Sequence, residues 1–278
     1  ATEFSIVTDI VTDGEKKYVV KKANSDQSQP HINAIYQWHQ LLKEQFQSTK
    51  LSLAPCVLED GKVIYEYVQG KSLEAMIDQC LLDDDKMQAI RLIEEYFNLI
   101  RERMSTKPFA VTEQFKAVFG DVELPENYKA ARVSDIDMVL DNVVVQNDRW
   151  YLIDYEWTFD FPIPVEYVLF RILFYYIRKS PIRQCMKDYY ESCFSEKERQ
   201  IFEQMEYHFQ EYVKGDTVPL RDLYSGGIGK LQTEAIPVVQ SVRKLMAIYK
   251  DCGEGYSEAA IQYQTLINNR ENHYGIDI

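Results

Sequence analysis

Paired cysteines, clustered histidines, long apolar runs and excess basic charge are all missing from this 278-residue chain, and each absence removes a class of protein. The five cysteines (Cys56, Cys80, Cys185, Cys193, Cys252) are odd in number and scattered, with no Cys-x-x-Cys pair. Neither a disulfide framework nor a zinc site is indicated, and they read as reduced core thiols. The four histidines (His31, His39, His208, His273) show no metal-ligand spacing. No segment approaches the ~20 apolar residues of a membrane helix, and no basic-plus-apolar leader opens the chain. The expectation is a soluble, cytoplasmic protein without a transmembrane segment. With 31 basic against 44 acidic residues the net charge is −13, which argues against nucleic-acid binding. There is no internal repeat and no low-complexity tract.

What is present is a large apolar fraction, 46% with 13% aromatic, enough to build a substantial core around one cleft. The most informative stretch is Ser134–Trp157. Asp137 and Asn142 stand five positions apart, and Asp154 comes twelve positions after Asn142. Between them Val143–Val145 and Trp150–Ile153 are short apolar runs joined by Gln146-Asn-Asp-Arg149, which predicts a β-hairpin. The sequence thus describes a loop carrying Asp and Asn, a hairpin, and an Asp where the chain leaves the second strand. Turn-forming Asp and Asn gather in loops for backbone reasons alone. The hairpin between the two halves, and an acid closing an apolar strand, are what lift the pattern above that reading.

Asp-x-x-x-x-Asn with a later Asp resembles the catalytic loop and metal-binding segment of the protein-kinase-like superfamily. Ile153-Asp-Tyr-Glu-Trp157 is similar to the Asp-aromatic-Glu of its small-molecule branch, the aminoglycoside and choline phosphotransferases. The longer run Asp154–Val165 is similar to kinase-like domains associated with bacterial glycosyltransferases and surface-polysaccharide assembly. The resemblance implies an α+β, two-lobed kinase-like fold, with a small β-rich N-lobe over residues 1–69 and a larger, mainly helical C-lobe over 70–278. It implies ATP and Mg²⁺ as cofactors and a hydroxyl-bearing small molecule or glycan as acceptor. Asp137 would orient and deprotonate that hydroxyl, while Asn142 and Asp154 would hold Mg²⁺ against the phosphates.

The upstream segment offers the matching parts. Phe4–Val11 and Lys17–Lys21 are strand-like and joined by the turn Thr12-Asp-Gly-Glu15. Tyr18-Val-Val-Lys-Lys22 resembles the strand whose lysine holds nucleotide phosphates. Lys21 aligns best, and Lys22 points to the opposite strand face, so parity excludes one of the two without saying which. The next helix, from His31 to Phe46 after Pro30, carries Ile32, Ile35, Trp38 or His39, and Leu42 at helical spacing. Its only acid, Glu44, comes late for pairing with the lysine, and Gln37 or Gln40 is the alternative occupant. Lys62–Leu73 reads as strand, turn and helix with Ser72 as N-cap. It resembles the hinge between kinase lobes, which implies adenine held by the Glu66 carbonyl and the Val68 amide, with Tyr65 behind. No Gly-x-Gly-x-x-Gly run precedes Lys21. That fits the small-molecule branch, and also a sequence that begins inside its fold or takes a first strand from a larger parent polypeptide; the resemblance of Asp154–Val165 further implies a glycosyltransferase partner.

Beyond residue 83 the pattern is helical. Asp83 or Asp84 can cap a helix with Ile90, Ile93, Phe97, Ile100 and Met104 on one face. Val165–Arg178 reads as an aromatic-rich helix in which Glu166 and Arg171 form a buried pair, with further helices near Pro181–Phe194, Glu196–Val213 and Ser257–Asn269. Ser225-Gly-Gly-Ile-Gly-Lys230 fails the phosphate-loop pattern, because Tyr224 replaces the first Gly and Leu231 comes after the Lys. Asp135 stands where kinases carry His or Tyr, so the loop needs a different brace. The alternative is a catalytically silent, kinase-like interaction module. A hydrolase using paired carboxylates such as Asp137 and Asp154 would leave Asn142, the hinge and Lys21 unused.

Overall fold

The computed structural model describes residues 1–215. The turn expected at 225–230 and the helix expected at 257–269 lie outside them. The architecture is mixed α+β, with strands concentrated in the first third and helices dominating the rest of the described residues.

Strands β1 (Ile6–Asp13) and β2 (Lys16–Ala23) pair antiparallel in full register, with Gly14 supplying the positive φ of +59° in their turn. Helix α1 (Gln29–Gln45) starts with a proline in its first turn and buries Ile32, Ile35, His39 and Leu42. Of the two residues left open by the spacing, His39 faces the core and Trp38 is half-buried. After α1 come β3 (Leu51–Leu53), β4 (Cys56–Glu59) and β5 (Lys62–Glu66). The first sheet runs β1-β2-β5-β4, antiparallel throughout, with α1 against it.

The chain then passes through β6 (Lys71–Ser72) into α2 (Leu73–Leu82), whose N-cap Ser72 hydroxyl accepts from the Ala75 amide at 3.1 Å. The next helix, α3 (Lys86–Met104), is capped by Asp85, not by Asp83 or Asp84. Asp84 instead takes a positive φ of +57° in the short break after α2, which moves the cap one place on. Strand β7 (Lys107–Pro108), helix α4 (Glu113–Phe119), β8 (Lys129–Ala130) and β9 (Ser134–Asp135) lead to the site. The predicted hairpin is present as β10 (Val143–Gln146) and β11 (Arg149–Leu152). Its turn residues Asn147 and Asp148 both have positive φ, +49° and +62°, the backbone of the hairpin turn that Asn and Asp tolerate. The second sheet runs β3-β11-β10-β6, with β3 parallel to β11. The parallel pairing of Leu51–Leu53, a strand too short to show a period, is not anticipated by the pattern.

Strand β12 (Thr158–Phe159) pairs with β9, and α5 (Val165–Arg178), α6 (Lys187–Cys193) and α7 (Glu196–Lys214) complete the described residues. Ten of the fourteen residues of α5 are buried, placing it at the centre of the helical part. Here the expected Glu166–Arg171 pair does not form. Arg171 is bonded to Glu206 of α7 at 3.0 Å, and the buried Glu166 Oε2 has no partner. Residues five apart on a helix do not share a face, so a longer-range acid takes the guanidinium.

Candidate active site

Lys21 sits on β2 facing inward and is 4% exposed, whereas Lys22 on the opposite face is more open and pairs with Asp9. Of the two lysines, Lys21 is the one that faces the interior. The Lys21 ammonium reaches across the chain to Asp154, donating to its two carboxylate oxygens at 2.8 and 2.9 Å. It also donates to Glu156 at 3.2 Å. Burial disfavours its charge, but Asp154 and Glu156 outweigh burial and raise its pKa.

No acid of α1 pairs with this lysine. Glu44 is exposed in the last turn of the helix, and Gln37 and Gln40 are exposed as well. The link to α1 runs through its first turn instead, where His31 Nε2 lies 3.0 Å from Glu156 Oε1. Glu156 is thus held between His31 and Lys21. Burial would raise its pKa, but the His31 hydrogen bond and the Lys21 charge lower it. Asp154-Tyr-Glu156 carries one signal for this, since alternate residues of an extended segment project to one side. His31 carried none.

The loop bearing Asp137 is braced by its own backbone and by α3. The Asp135 carboxyl group is fully buried, and its Oδ1 accepts the Asp137 amide at 2.8 Å. The Tyr96 hydroxyl donates to the Met138 carbonyl at 3.0 Å, and Ile136 N–H donates to the Trp157 carbonyl at 3.0 Å. Asp135 therefore supplies the brace through a main-chain hydrogen bond. Burial, reinforced by Asp137, raises its pKa well above the ordinary carboxylate value.

Asn142 closes the loop. Its Nδ2 donates to the Asp137 carbonyl at 2.9 Å and to Asp137 Oδ2 at 3.2 Å. With both protons committed, the amide oxygen is left accepting no hydrogen bond among the described residues. The Asn142 carbonyl accepts from Ile153 N–H at 2.9 Å, tying the loop to the start of the Asp154 segment. The other Asp137 oxygen lies 3.7 Å from Arg171 Nη2. Burial raises the Asp137 pKa; Arg171 opposes the shift and Asp154 adds to it. Arg171 is a site residue with no sequence signal, because its place depends on α5 packing under the loop.

Asp137 opens onto a cavity of about 250 Å³ lined also by Trp157, Arg171, Tyr175, Lys179, Phe209 and Gln210. On the far side of Lys21, β5 ends at Glu66. Its amide donates to the Pro55 carbonyl at 3.0 Å, and Tyr67 N–H donates to the Lys17 carbonyl at 3.1 Å. The Val68 amide donates to no group among the described residues. Gly70 lets this segment lie on β10: a Cβ there would stand 2.2 Å from the Val145 carbonyl oxygen. Tyr65 is buried behind the strand, edge-on to Tyr155 with ring centroids 5.8 Å apart.

Among the described residues no group of three or more His, Cys, Asp or Glu side chains could hold a metal ion. The oxygen-bearing side chains gathered at the site are the carboxylates of Asp137, Asp154 and Glu156 and the amide of Asn142. None of the described helices is long and apolar enough to cross a membrane.

No family model and no curated protein matches the chain. Solved structures do. A choline kinase LicA from Streptococcus pneumoniae is 17% identical, with 76% of this chain and 84% of that one covered at a TM-score of 0.40. The streptomycin–ATP–APH(2")-IIa ternary complex is 12% identical, covering 72% and 94% at 0.41. A macrolide 2'-phosphotransferase type I is 11% identical, covering 76% and 87% at 0.40. The chemistry is read from this chain's own side chains.

Proposed function

We propose that the chain is an ATP- and Mg²⁺-dependent phosphotransferase acting on a hydroxyl of a small molecule or glycan. The observation that carries this is the convergence of Lys21 and Asp154, 133 residues apart, at 2.8 Å, next to an Asp137–Asn142 pair joined by two hydrogen bonds. In this reading residues 1–69 form a nucleotide-holding lobe and residues 70–278 the lobe that carries the chemistry.

The donor set fits Mg²⁺. That ion is commonly bound through one or two protein oxygens plus phosphate and water rather than a full protein cage. Asn142, its amide nitrogen occupied by Asp137, presents an oxygen, and Asp154 presents a carboxylate. The metal would supply charge neutralisation at the phosphates.

The protein's own groups do the rest. Lys21, held by Glu156 and through it by His31, keeps a cation where the phosphates would lie. The Val68 amide and Glu66 carbonyl are the backbone groups for the adenine edge. Asp137 accepts the acceptor hydroxyl's proton, with Asn142 and Arg171 fixing its two oxygens. A carboxylate whose pKa is raised by burial is a better base for that task than an exposed one.

A silent module is the second reading. It is favoured by Lys21 occupying both oxygens of Asp154, the ligand a metal would need, and by Asp135 in place of the usual His or Tyr. Asp137→Asn separates the two. The variant should lose acceptor-dependent ADP formation by at least ~100-fold while binding Mg·ATP as the wild type does. A wild type that binds nucleotide with no turnover on any hydroxyl acceptor supports the silent module.

A further inference from the structure

A second cavity, of about 600 Å³, lies among the last turns of α1, the turn that comes after them, and strands β3 and β4. Its lining carries Lys43, Arg149 and His39 but no Asp or Glu, in a chain whose net charge is −13. Lys43 comes from the last turn of α1 and Arg149 from the first residue of β11. Both are exposed, and neither side chain forms an ion pair or hydrogen bond among the described residues. We infer that this cavity binds a small phosphate monoester and that its occupancy alters nucleotide affinity at the site of Asp154, the second part resting on the phosphotransferase reading.

The charges set the sign of the ligand. Burial lowers the His39 pKa and Lys43 adds to that lowering, against a hydrogen bond to the Ala54 backbone, so the lysine acts here as an unopposed cation. Two unpaired cations from separate elements balance a dianion, and the guanidinium fork of arginine matches phosphate oxygens. The Ser48 and Ser52 hydroxyls, also in the lining, make no hydrogen bond among the described residues and are left for the polar body of the ligand. The volume falls within the ~300–1,000 Å³ of small-molecule sites and exceeds what a bare phosphate fills.

The same lining touches the segment that carries Asp154. His39 packs on Tyr155 with ring centroids 5.8 Å apart, and the Cys56 sulfur accepts the Tyr155 hydroxyl at 3.4 Å. Tyr155 stands between Asp154 and Glu156, the two acids that hold Lys21. Strand β3 pairs with β11 as far as Leu53 and Leu152, and the Ala54 amide donates to the Leu152 carbonyl at 2.9 Å. A ligand that displaces His39 or Cys56 therefore presses on the residue between those two acids. Two ligands that favour different placements of one element are coupled, each to the other by the same factor.

Calorimetric titration of the full chain with glucose 6-phosphate tests this. Glucose and inorganic phosphate are separate ligands, and each titration is run with and without Mg²⁺ and a non-hydrolysable ATP analogue. Glucose 6-phosphate should bind at least about tenfold tighter than either control, and should lose at least about tenfold in the double variant Lys43→Glu/Arg149→Glu. At saturation it should change the nucleotide dissociation constant at least about fivefold, with nucleotide changing its own by the same factor. The double variant should lose that coupling and bind nucleotide alone as the wild type does. No binding, binding that survives the charge reversal, or competitive displacement by the analogue overturns the site. Equal binding of either control overturns the monoester, and an unchanged nucleotide affinity overturns the coupling. No nucleotide bound in any arm sinks the phosphotransferase reading, whereas glucose 6-phosphate bound by wild type and lost on charge reversal still upholds the cavity as its site.

Discussion

Asp135 shows how a single residue can look wrong in sequence and make sense in place. A carboxylate where kinases carry His or Tyr signals a missing brace, but its Oδ1 takes the Asp137 amide directly. Its Oδ2 is buried without a partner, which suits a protonated acid better than an anion. Burial holds the folded-state pKa well above the value in an unfolded chain. Between those two values the native state binds more protons than the unfolded one, so this group's contribution to stability falls as pH rises. Asp135→Asn keeps the acceptor and removes the titration. Thermal melts should place the variant at or below wild type near pH 4 and move it upward relative to wild type toward pH 7. A difference independent of pH would show that Asp135 is ionised throughout. The lysine question also belongs at this scale. Strand parity reduces the choice to Lys21 or Lys22, but only the packing of Asp154 and Glu156 over one face decides it.

Among elements, the hairpin β10–β11 was the most legible, because Asn147 and Asp148 meet a backbone requirement that few residues tolerate. Helix α5 was equally plain from its apolar pattern. Partners between elements were not. Arg171 and Glu206 lie 35 residues apart, His31 and Glu156 lie 125 apart, and no local pattern couples them. Helix α1 accordingly meets the site at its first turn, not through Glu44. Gly70 gives a test of how the segment after β5 is seated. Gly70→Ala would drive a methyl into the Val145 carbonyl, and overpacking of this kind costs about 1–3 kcal/mol. Since the Val68 amide lies two residues away, nucleotide affinity should fall along with the melting temperature. A variant that melts lower yet binds ATP unchanged would detach this segment from the nucleotide.

Across the whole molecule, a net charge of −13 does not by itself fix the potential in a local cleft. The α+β arrangement was implied by the family resemblance, and the order of strand-like and helix-like patterns agrees with it. What joins the two parts is the contact of Lys21 with Asp154 and Glu156, where three charged groups are gathered at low exposure. Such a cluster is the reason to expect a charged ligand between them. The most direct test is a thermal melt in Mg²⁺ with and without ATP, on wild type and on Asp154→Ala. At about a hundred times its dissociation constant, ATP should add about 2.7 kcal/mol, a rise of roughly 5–10 °C. That rise should be lost in the variant. An unchanged wild-type melting temperature, or a rise that survives Asp154→Ala, would contradict the account.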